Sequence, residues 1–462
     1  MDSKVVGRSH WLAIIAAFLG WMFDGFEMGL YPLVARPAVR EMLEGAVQEE
    51  LAPALRGKSA AEAEKLLREE LEIRVGKWYS WFVAVFLFGA ALGGFVFGWL
   101  GDVLGRTKAM ILSVLCYSLF TGAAGLSTLP WHMAVLRFVA ALGMGGEWSL
   151  GVALIMELWP SAARPVLAGV IGAAANFGFL LIAAVGYVLS GYLGDQPGAW
   201  RWLVLVGAVP ALLTLFIRFF VPESERWRRA LKEQKRPVPW EVFYPGMVER
   251  TMVGIVVCAI PLLATWGAVQ WQTLWVEQVA QQTLGQVGPR ARNVTQMVSA
   301  FGACVGTFMA AVLGQWVRRR TMYVALCAIS LGSALWMFRP PWLLESLDEL
   351  GVISKSDWVQ SYSDFIYVHI LVVGLTSAAF YGWIPLYLPE LFPTRVRATG
   401  QGLCFNFGRI FAGLGNLFLT APLLRFFGGD YASAAAAVTT IYVLGMLAIW
   451  LAPETHGQPL PD

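Results

Sequence analysis

Apolar stretches of bilayer-crossing length recur along the whole chain. A hydrocarbon core of about 30 Å needs roughly 20 apolar residues at 1.5 Å per residue. Twelve stretches fit, at about 11–35, 78–100, 108–126, 131–156, 166–193, 200–221, 251–278, 293–316, 322–338, 365–388, 398–424 and 432–451. Short polar segments separate most of them. The pattern predicts an all-α membrane protein with twelve transmembrane helices. One irregularity stands out: from Trp11 to Ala35 the only charged residues are Asp24 and Glu27. A carboxylate at the centre of a spanning helix costs roughly 2.5–3.5 kcal/mol on insertion scales, so two of them need a reason.

Composition agrees with the pattern. Of 462 residues, 57% are hydrophobic and 14% charged, against about 25% charged in soluble domains. The first stretch is too long for a signal peptide's apolar region, lacks a small-x-small cleavage site and contains acids, so it reads as helix 1. A net charge of +3 makes nucleic acid an unsuitable partner. Cys116, Cys258, Cys304, Cys327 and Cys404 all lie in predicted spans without a CxxC pair and read as packing residues. Four scattered histidines and no HExxH give no metal site, and nothing suggests a cofactor.

Basic residues set the orientation. Arg106 and Lys108, Arg164, the run Arg318-Arg319-Arg320, and Arg395 with Arg397 alternate with loops poorer in Lys and Arg. Taking these as cytoplasmic puts both termini inside, with Arg290 and Arg292 as minor exceptions on the outer face.

The chain repeats itself. ELWPSAARPVLAG (157–169) and ELFPTRVRATGQG (390–402) share Glu-Leu-aromatic-Pro, an Arg seven positions on and a Gly twelve on. PESERW (222–227) and PETHGQ (453–458) repeat at nearly the same offset, and Asn-Phe-Gly occurs at Asn176 and Asn406. The segment GWLGDVLGRTK (98–108) has a weaker echo in GQWVRRRT (314–321), which keeps a Gly and the basic cluster and reads as lacking the Asp and two residues. Two pseudo-symmetric six-helix bundles follow, over 1–221 and 249–462. A polar, basic cytoplasmic linker, 222–248, lets them rock against each other.

These motifs resemble the major facilitator superfamily over nearly the whole length. GWLGDVLGRTK matches its G-x-x-x-D-x-x-G-R-[RK] hallmark except at Thr107. RFVAALGMGGEW, PESERW, PELFPTRVRATG and PETHGQPLP are similar to sugar porters and organic-acid:proton symporters. DGFE (24–27) looks like the DGFD of aromatic-acid and sialate/lactate-type proton symporters. The resemblance implies alternating access and transport, with no enzymatic activity. It also implies cytoplasmic inter-half salt bridges that lock an outward-facing state. The matching residues are Glu157 with Arg164 and Glu390 with Arg397, with Asp102 and Arg106 bracing helix 2 against helix 11.

Within the spans, Asp24 and Glu27 are three residues apart and share one helix face. At 1.5 Å per residue, Glu27 lies about 12 Å from the outer end of its helix, Asp24 about 17 Å, and Arg137 about 10 Å below the same face. Glu27 and Arg137 therefore meet in depth. Their ion pair is either a static structural one or a proton switch, because Glu27 should take a proton when Arg137 leaves and release it on return. The resemblance favours the switch. Glu147, ten residues beyond Arg137 and off its face, reads equally as a proton carrier or an inter-helix partner. His369, the repeat equivalent of Arg137, reads as interfacial. Arg409 lies about 20 Å from the inner end of its helix. It suits a substrate carboxylate or a partner acid, Glu147 or Asp24. Trp266, Gln270, Gln272 and Tyr381 add aromatic surfaces and amides suited to a small polar or aromatic solute.

Residues 36–77 read as a long outer loop, with Ser59 and Glu62 opening a helix over about 60–74. It reads as an insertion, as does 339–363, rather than a lid. The resulting expectation is a monomeric, proton-coupled symporter of a small organic acid anion in the cytoplasmic membrane. Asp24, Glu27, Arg137 and Glu147 carry protons; Arg409, Asn406, Gln270, Gln272, Trp266, Tyr381 and Asn176 surround the substrate. A sugar:proton symporter and a non-transporting nutrient sensor of the same fold are the alternatives.

Overall fold

The computed structural model describes residues 7–192, 198–233, 236–273, 275–276, 289–338, 345–346, 348–351 and 366–461; the side chains of 189–192, 215, 218, 270 and 289–293 lie outside that description. Every regular element within it is helical. The first half contains α1 (Arg8–Leu55), α2 (Ala60–Leu104), α3 (Arg106–Ala124), α4 (Pro130–Leu158) and α5 (Arg164–Tyr192). Its sixth span is broken into α6 (Ala199–Val206) and α7 (Leu213–Phe220) by a short 3-10 turn. A polar helix α8 (Glu225–Glu233) follows, within the predicted linker.

The second half contains α9 (Val248–Gly267), α10 (Pro289–Leu313) and α11 (Arg319–Phe338). Its remaining spans are α12 and α13 (Ile366–Ala378, Phe380–Leu391), α14 and α15 (Arg397–Phe418, Thr420–Phe426), and α16 and α17 (Tyr431–Thr439, Ile441–Ala448). The α14–α15 pair bends by 56°. Counting each interrupted pair as one span, the described helices make twelve, in two pseudo-symmetric sets of six.

The outer loop expected over 36–77 is a helical hairpin instead. Helix α1 runs 48 residues and α2 45, joined by the turn at 56–59, so both extend beyond their apolar stretches. The Ser59 capping box forms as its spacing predicts: Glu62 N–H donates to Ser59 Oγ at 3.4 Å, and Ser59 N–H to Glu62 Oε2 at 3.1 Å. The helix it opens does not stop near 74, because charge and apolar pattern both support the hairpin. Val39, Val47, Leu71 and Val75 are buried in its seam. Arg74 pairs with Glu50 and Glu70, each at 2.7 Å, and Glu72 pairs with Arg36 and Arg40. Glu41 then ties the hairpin to α6, accepting from Gly198 N–H at 2.7 Å and Trp200 Nε1 at 3.0 Å. The other insertion, 339–363, lies outside the described residues except for 345–346 and 348–351.

Helices from opposite halves meet along two seams, α2 against α14 and α5 against α10 and α13. Without a hydrophobic driving force between helices in lipid, close approach through small residues holds such seams. A methyl group on Gly402 would overlap the Gly94 carbonyl, and one on Gly98 would press on the Ala398 carbonyl. At the outer end of the same seam, Asn416 Nδ2 donates to the Ser80 carbonyl at 3.1 Å. Gly402→Val should therefore force α2 and α14 apart and destabilise the protein by about 1–3 kcal/mol. Gly415→Ala, where added bulk meets nothing within 4 Å, should leave the melting temperature unchanged or slightly higher. Thermal unfolding in detergent compares the two.

Candidate functional site

The charged residues of helices α1, α4 and α14 converge in the interior. Asp24, Glu27, Arg137, Glu147 and Arg409 are each at most 4% exposed. The depth match between Glu27 and Arg137 ends in a direct ion pair through Glu27 Oε1, which also accepts from Thr121 Oγ1 of α3 at 3.2 Å. The Arg137 guanidinium carbon lies 3.9 Å from the centroid of the Tyr31 ring and 4.3 Å from that of Phe86. This cation thus has one carboxylate and two aromatic rings in place of water. Thr121, Tyr31 and Phe86 carry no sequence signal, since they differ in no obvious way from other residues of their spans.

Beside this pair lies a second group that is not closed by hydrogen bonds. Neither carboxylate oxygen of Asp24 nor of Glu147 has a partner of hydrogen-bond geometry. The Glu147 carboxylate presses on the backbone of α1 at Gly20, one turn before Asp24. The charges acting on Asp24 are Glu147 and Arg409. Arg409 makes no salt bridge among the described residues, and its Nε and Nη1 are buried without acceptors. Its guanidinium carbon lies 5.8 Å from the Phe86 centroid and 5.9 Å from that of Phe405. Trp148 stacks on Phe405 with centroids 3.9 Å apart, and Trp21 meets the same ring edge-on at 6.1 Å. Both indole N–H groups are buried without partners. Buried polar atoms are normally hydrogen-bonded, so donors and acceptors of this kind mark a place for a solute, water or a proton.

Other candidates are distributed differently. Asn406 Nδ2 donates to the carbonyls of Gly145 and Gly402, both at 2.9 Å, which joins α14 to α4 and leaves only Oδ1 for a solute. Gln272 Nε2 donates to Ser299 Oγ at 2.6 Å, leaving its Oε1 without a partner. Tyr381 donates to Thr265 Oγ1 at 3.4 Å and meets the edge of Phe405 at 6.1 Å. Trp266 packs 5.9 Å from Phe86, and Asn176 is half-buried in α5. Gln270 falls outside the described side chains. His369, expected at the interface, is buried and stacks on Trp336.

The ends of the bundle expected to be cytoplasmic are joined by charge. Asp102 accepts from the backbone N–H groups of Ala398 and Thr399 at 3.2 and 2.8 Å, which caps the start of α14 from the other half. Arg106 bonds Asp102 at 2.7 Å, Glu157 at 2.9 Å and, across the seam, the Thr394 carbonyl at 2.8 Å. Arg397 crosses in the opposite direction to Glu157 at 3.1 Å and also donates to the Pro461 carbonyl. The expected symmetric lock is therefore half formed. Glu390 pairs within its own half with Arg319 at 2.8 Å, and Arg164 has no ion pair among the described residues.

The structure also corrects the weak internal repeat. Arg106 Nη1 donates to the Gly101 carbonyl, and Arg319 Nη1 to that of Gly314. The two loops thus align without a deletion, and Gln315 stands where Asp102 does. Each loop is capped by a distant glutamate. Gly105, at φ 107°, turns α2 into α3 so that Glu223 accepts from Arg106 N–H at 2.9 Å. Glu454 likewise accepts from Arg319 and Arg320 N–H at 2.9 and 3.1 Å. Burial raises the Glu223 carboxyl, whereas for Glu454 the backbone N–H bonds outweigh burial and lower it.

Two outcomes follow. Breaking one partner of a buried ion pair leaves a stranded charge, so Arg137→Met should cost about 3–5 kcal/mol, and Glu27→Gln/Arg137→Met should recover most of it. Thermal unfolding of the single and double variants reads this. A carboxyl held below its ordinary 4.5 stabilises the fold above that pH and loses the contribution as pH falls through its depressed value. Glu454→Gln should thus melt below wild type at pH 7, with the two curves converging below about pH 4.5.

The profile of the Major Facilitator Superfamily matches residues 63–416. The chain is 27% identical over 367 residues to the probable 4-methylmuconolactone transporter of Cupriavidus pinatubonensis, covering 79% of each chain. It is 27% identical over 338 residues to the cis,cis-muconate transport protein of Acinetobacter baylyi, covering 71% of this chain and 74% of that one. Among solved structures, the proton:xylose symporter XylE bound to 6-bromo-6-deoxy-D-glucose superposes with a TM-score of 0.70 at 17% identity, over 98% of each chain, a likeness of fold. With the matched profile spanning more than half of its length, this multi-pass membrane chain belongs to the Major Facilitator Superfamily.

Proposed function

We propose that the protein is a proton-coupled symporter of a small organic acid anion, working by alternating access in the cytoplasmic membrane with both termini inside. One observation carries the reading: Arg409 offers two buried donors without acceptors, beside Asp24, whose carboxylate oxygens have no hydrogen-bond partner, and Glu147, which has only the Ser113 hydroxyl near it. A carboxylate solute entering there satisfies the guanidinium fork. It also adds negative charge next to two acids, which favours their protonation. Anion and proton thus bind together. The Glu27–Arg137 pair provides a further switch, since Glu27 takes a proton whenever Arg137 is drawn away and returns it when Arg137 comes back.

Two supports lie outside the charges. Flat walls at Trp148 and Phe405 suit a planar, conjugated acid. The names of relatives, a cis,cis-muconate transport protein and a probable 4-methylmuconolactone transporter, point to the same chemical class. The bonds of Asp102, Arg106 and Arg397 across the seam supply a gate at the end taken as cytoplasmic.

Uptake of labelled cis,cis-muconate and of xylose into proteoliposomes, with and without an imposed proton gradient, tests the reading. Gradient-driven accumulation of muconate alone is the expected result. Accumulation of xylose instead would make the protein a sugar:proton symporter, and specific binding without flux would make it a sensor. Glu27→Gln should abolish gradient-driven accumulation while retaining anion exchange. Arg409→Lys, which loses the bidentate fork, should raise the KM for the anion by about 10- to 100-fold.

A further inference from the structure

The two buried arginines share a neighbour. Phe86, on α2 and 2% exposed, lies against Arg137 of α4 at 4.3 Å and against Arg409 of α14 at 5.8 Å. Among the described rings it is the one that both cations face. Helices α2 and α4 belong to the first half and α14 to the second, so the contact with Arg137 lies within one half. The contact with Arg409 crosses the seam that must open and close in alternating access. Tyr31 holds Arg137 from another side at 3.9 Å, and Trp266 of α9 packs 5.9 Å from Phe86.

We infer that Phe86 is the positioning residue that couples the Glu27–Arg137 ion pair to the anion site at Arg409, through a ring attracted to both guanidinium groups. This rests on the proposed proton and anion sites. A ring's negative face attracts a cation most strongly where water is excluded. With Arg409 against it, the ring is pinned, and Arg137 is held between Phe86 and Tyr31 on Glu27. When an anion takes Arg409 and the halves shift, the ring is released. Arg137 then loses one of its walls and leaves Glu27, which takes a proton from the open side. On return, Arg137 displaces that proton. The other ionisable groups that surround this route are Asp24, Glu147, Tyr31, Tyr117 and Tyr381. None of them bridges the two halves as the ring does.

Two measurements decide the matter. The first is a melting-temperature cycle of Phe86→Leu, Arg409→Gln and the double variant. The link requires that the double variant lose several degrees less than the two single shifts added together. Additive shifts overturn it. The second is the proton:anion ratio in proteoliposomes. Phe86→Leu should lower gradient-driven accumulation at least tenfold more than it lowers anion exchange, and Phe86→Tyr should restore accumulation. Equal losses of exchange and accumulation, or an unchanged ratio in Phe86→Leu, overturn the inference by showing that the ring only fills space. A wild type that moves no anion removes the proposed function, and the melting cycle still decides for or against the link.

Discussion

A charge inside a bilayer-spanning bundle must find a counter-charge, a ring face or a polar cavity, because water is not there to solvate it. Five such charges sit at the interior of this protein, and their placement explains much of the rest. Glu27 and Arg137 answer each other, with Tyr31, Phe86 and Thr121 completing their shell. Asp24, Glu147 and Arg409 are left near one another without hydrogen-bond closure. The first arrangement is self-sufficient, whereas the second leaves buried donors and acceptors open. A transporter needs both: a pair that can be parted and a site whose occupancy gives a reason to part it.

At the end of the bundle that carries Asp102 and Arg106, pseudo-symmetry is kept in the capping and broken in the lock. Glu223 and Glu454 cap equivalent helix starts, and Arg106 and Arg319 bond equivalent glycine carbonyls. Asp102, however, reaches across to α14, while the equivalent position holds Gln315. Likewise Glu157 receives Arg397 from the other half, and Glu390 stays with Arg319. Both inter-half seams rest on close glycine contacts, Gly402 and Gly98 on one and Gly169 and Gly172 on the other, and among the described residues the α2–α14 seam adds ion pairs.

Much of this architecture could be read from residue patterns. Apolar runs located the twelve spans, and the ELWP/ELFP and PES/PET repeats gave the two halves. Helical rise alone placed Glu27 and Arg137 at one depth. The failures also have physical causes. The outer hairpin was read as a loop because its charged residues end the apolar pattern. Helices continue there through cross-hairpin ion pairs that a hydropathy criterion does not register. The helix-joining bonds of the Asn406 amide nitrogen, which leave its Oδ1 free, depend on neighbours that the sequence does not place. The pairing of Glu390 with Arg319 was invisible because the motif assigns Glu390 to Arg397 and Arg319 reads only as one of a basic run.

Period, length and composition act within a single helix, so sequence alone determined which segments span and how far along its helix each charge lies. Which charges meet depends on the rotation and packing of helices far apart in the chain. Only the tertiary structure therefore decided that Arg137 belongs to Glu27, that Arg409 is left without an acid, and that one phenylalanine stands between them.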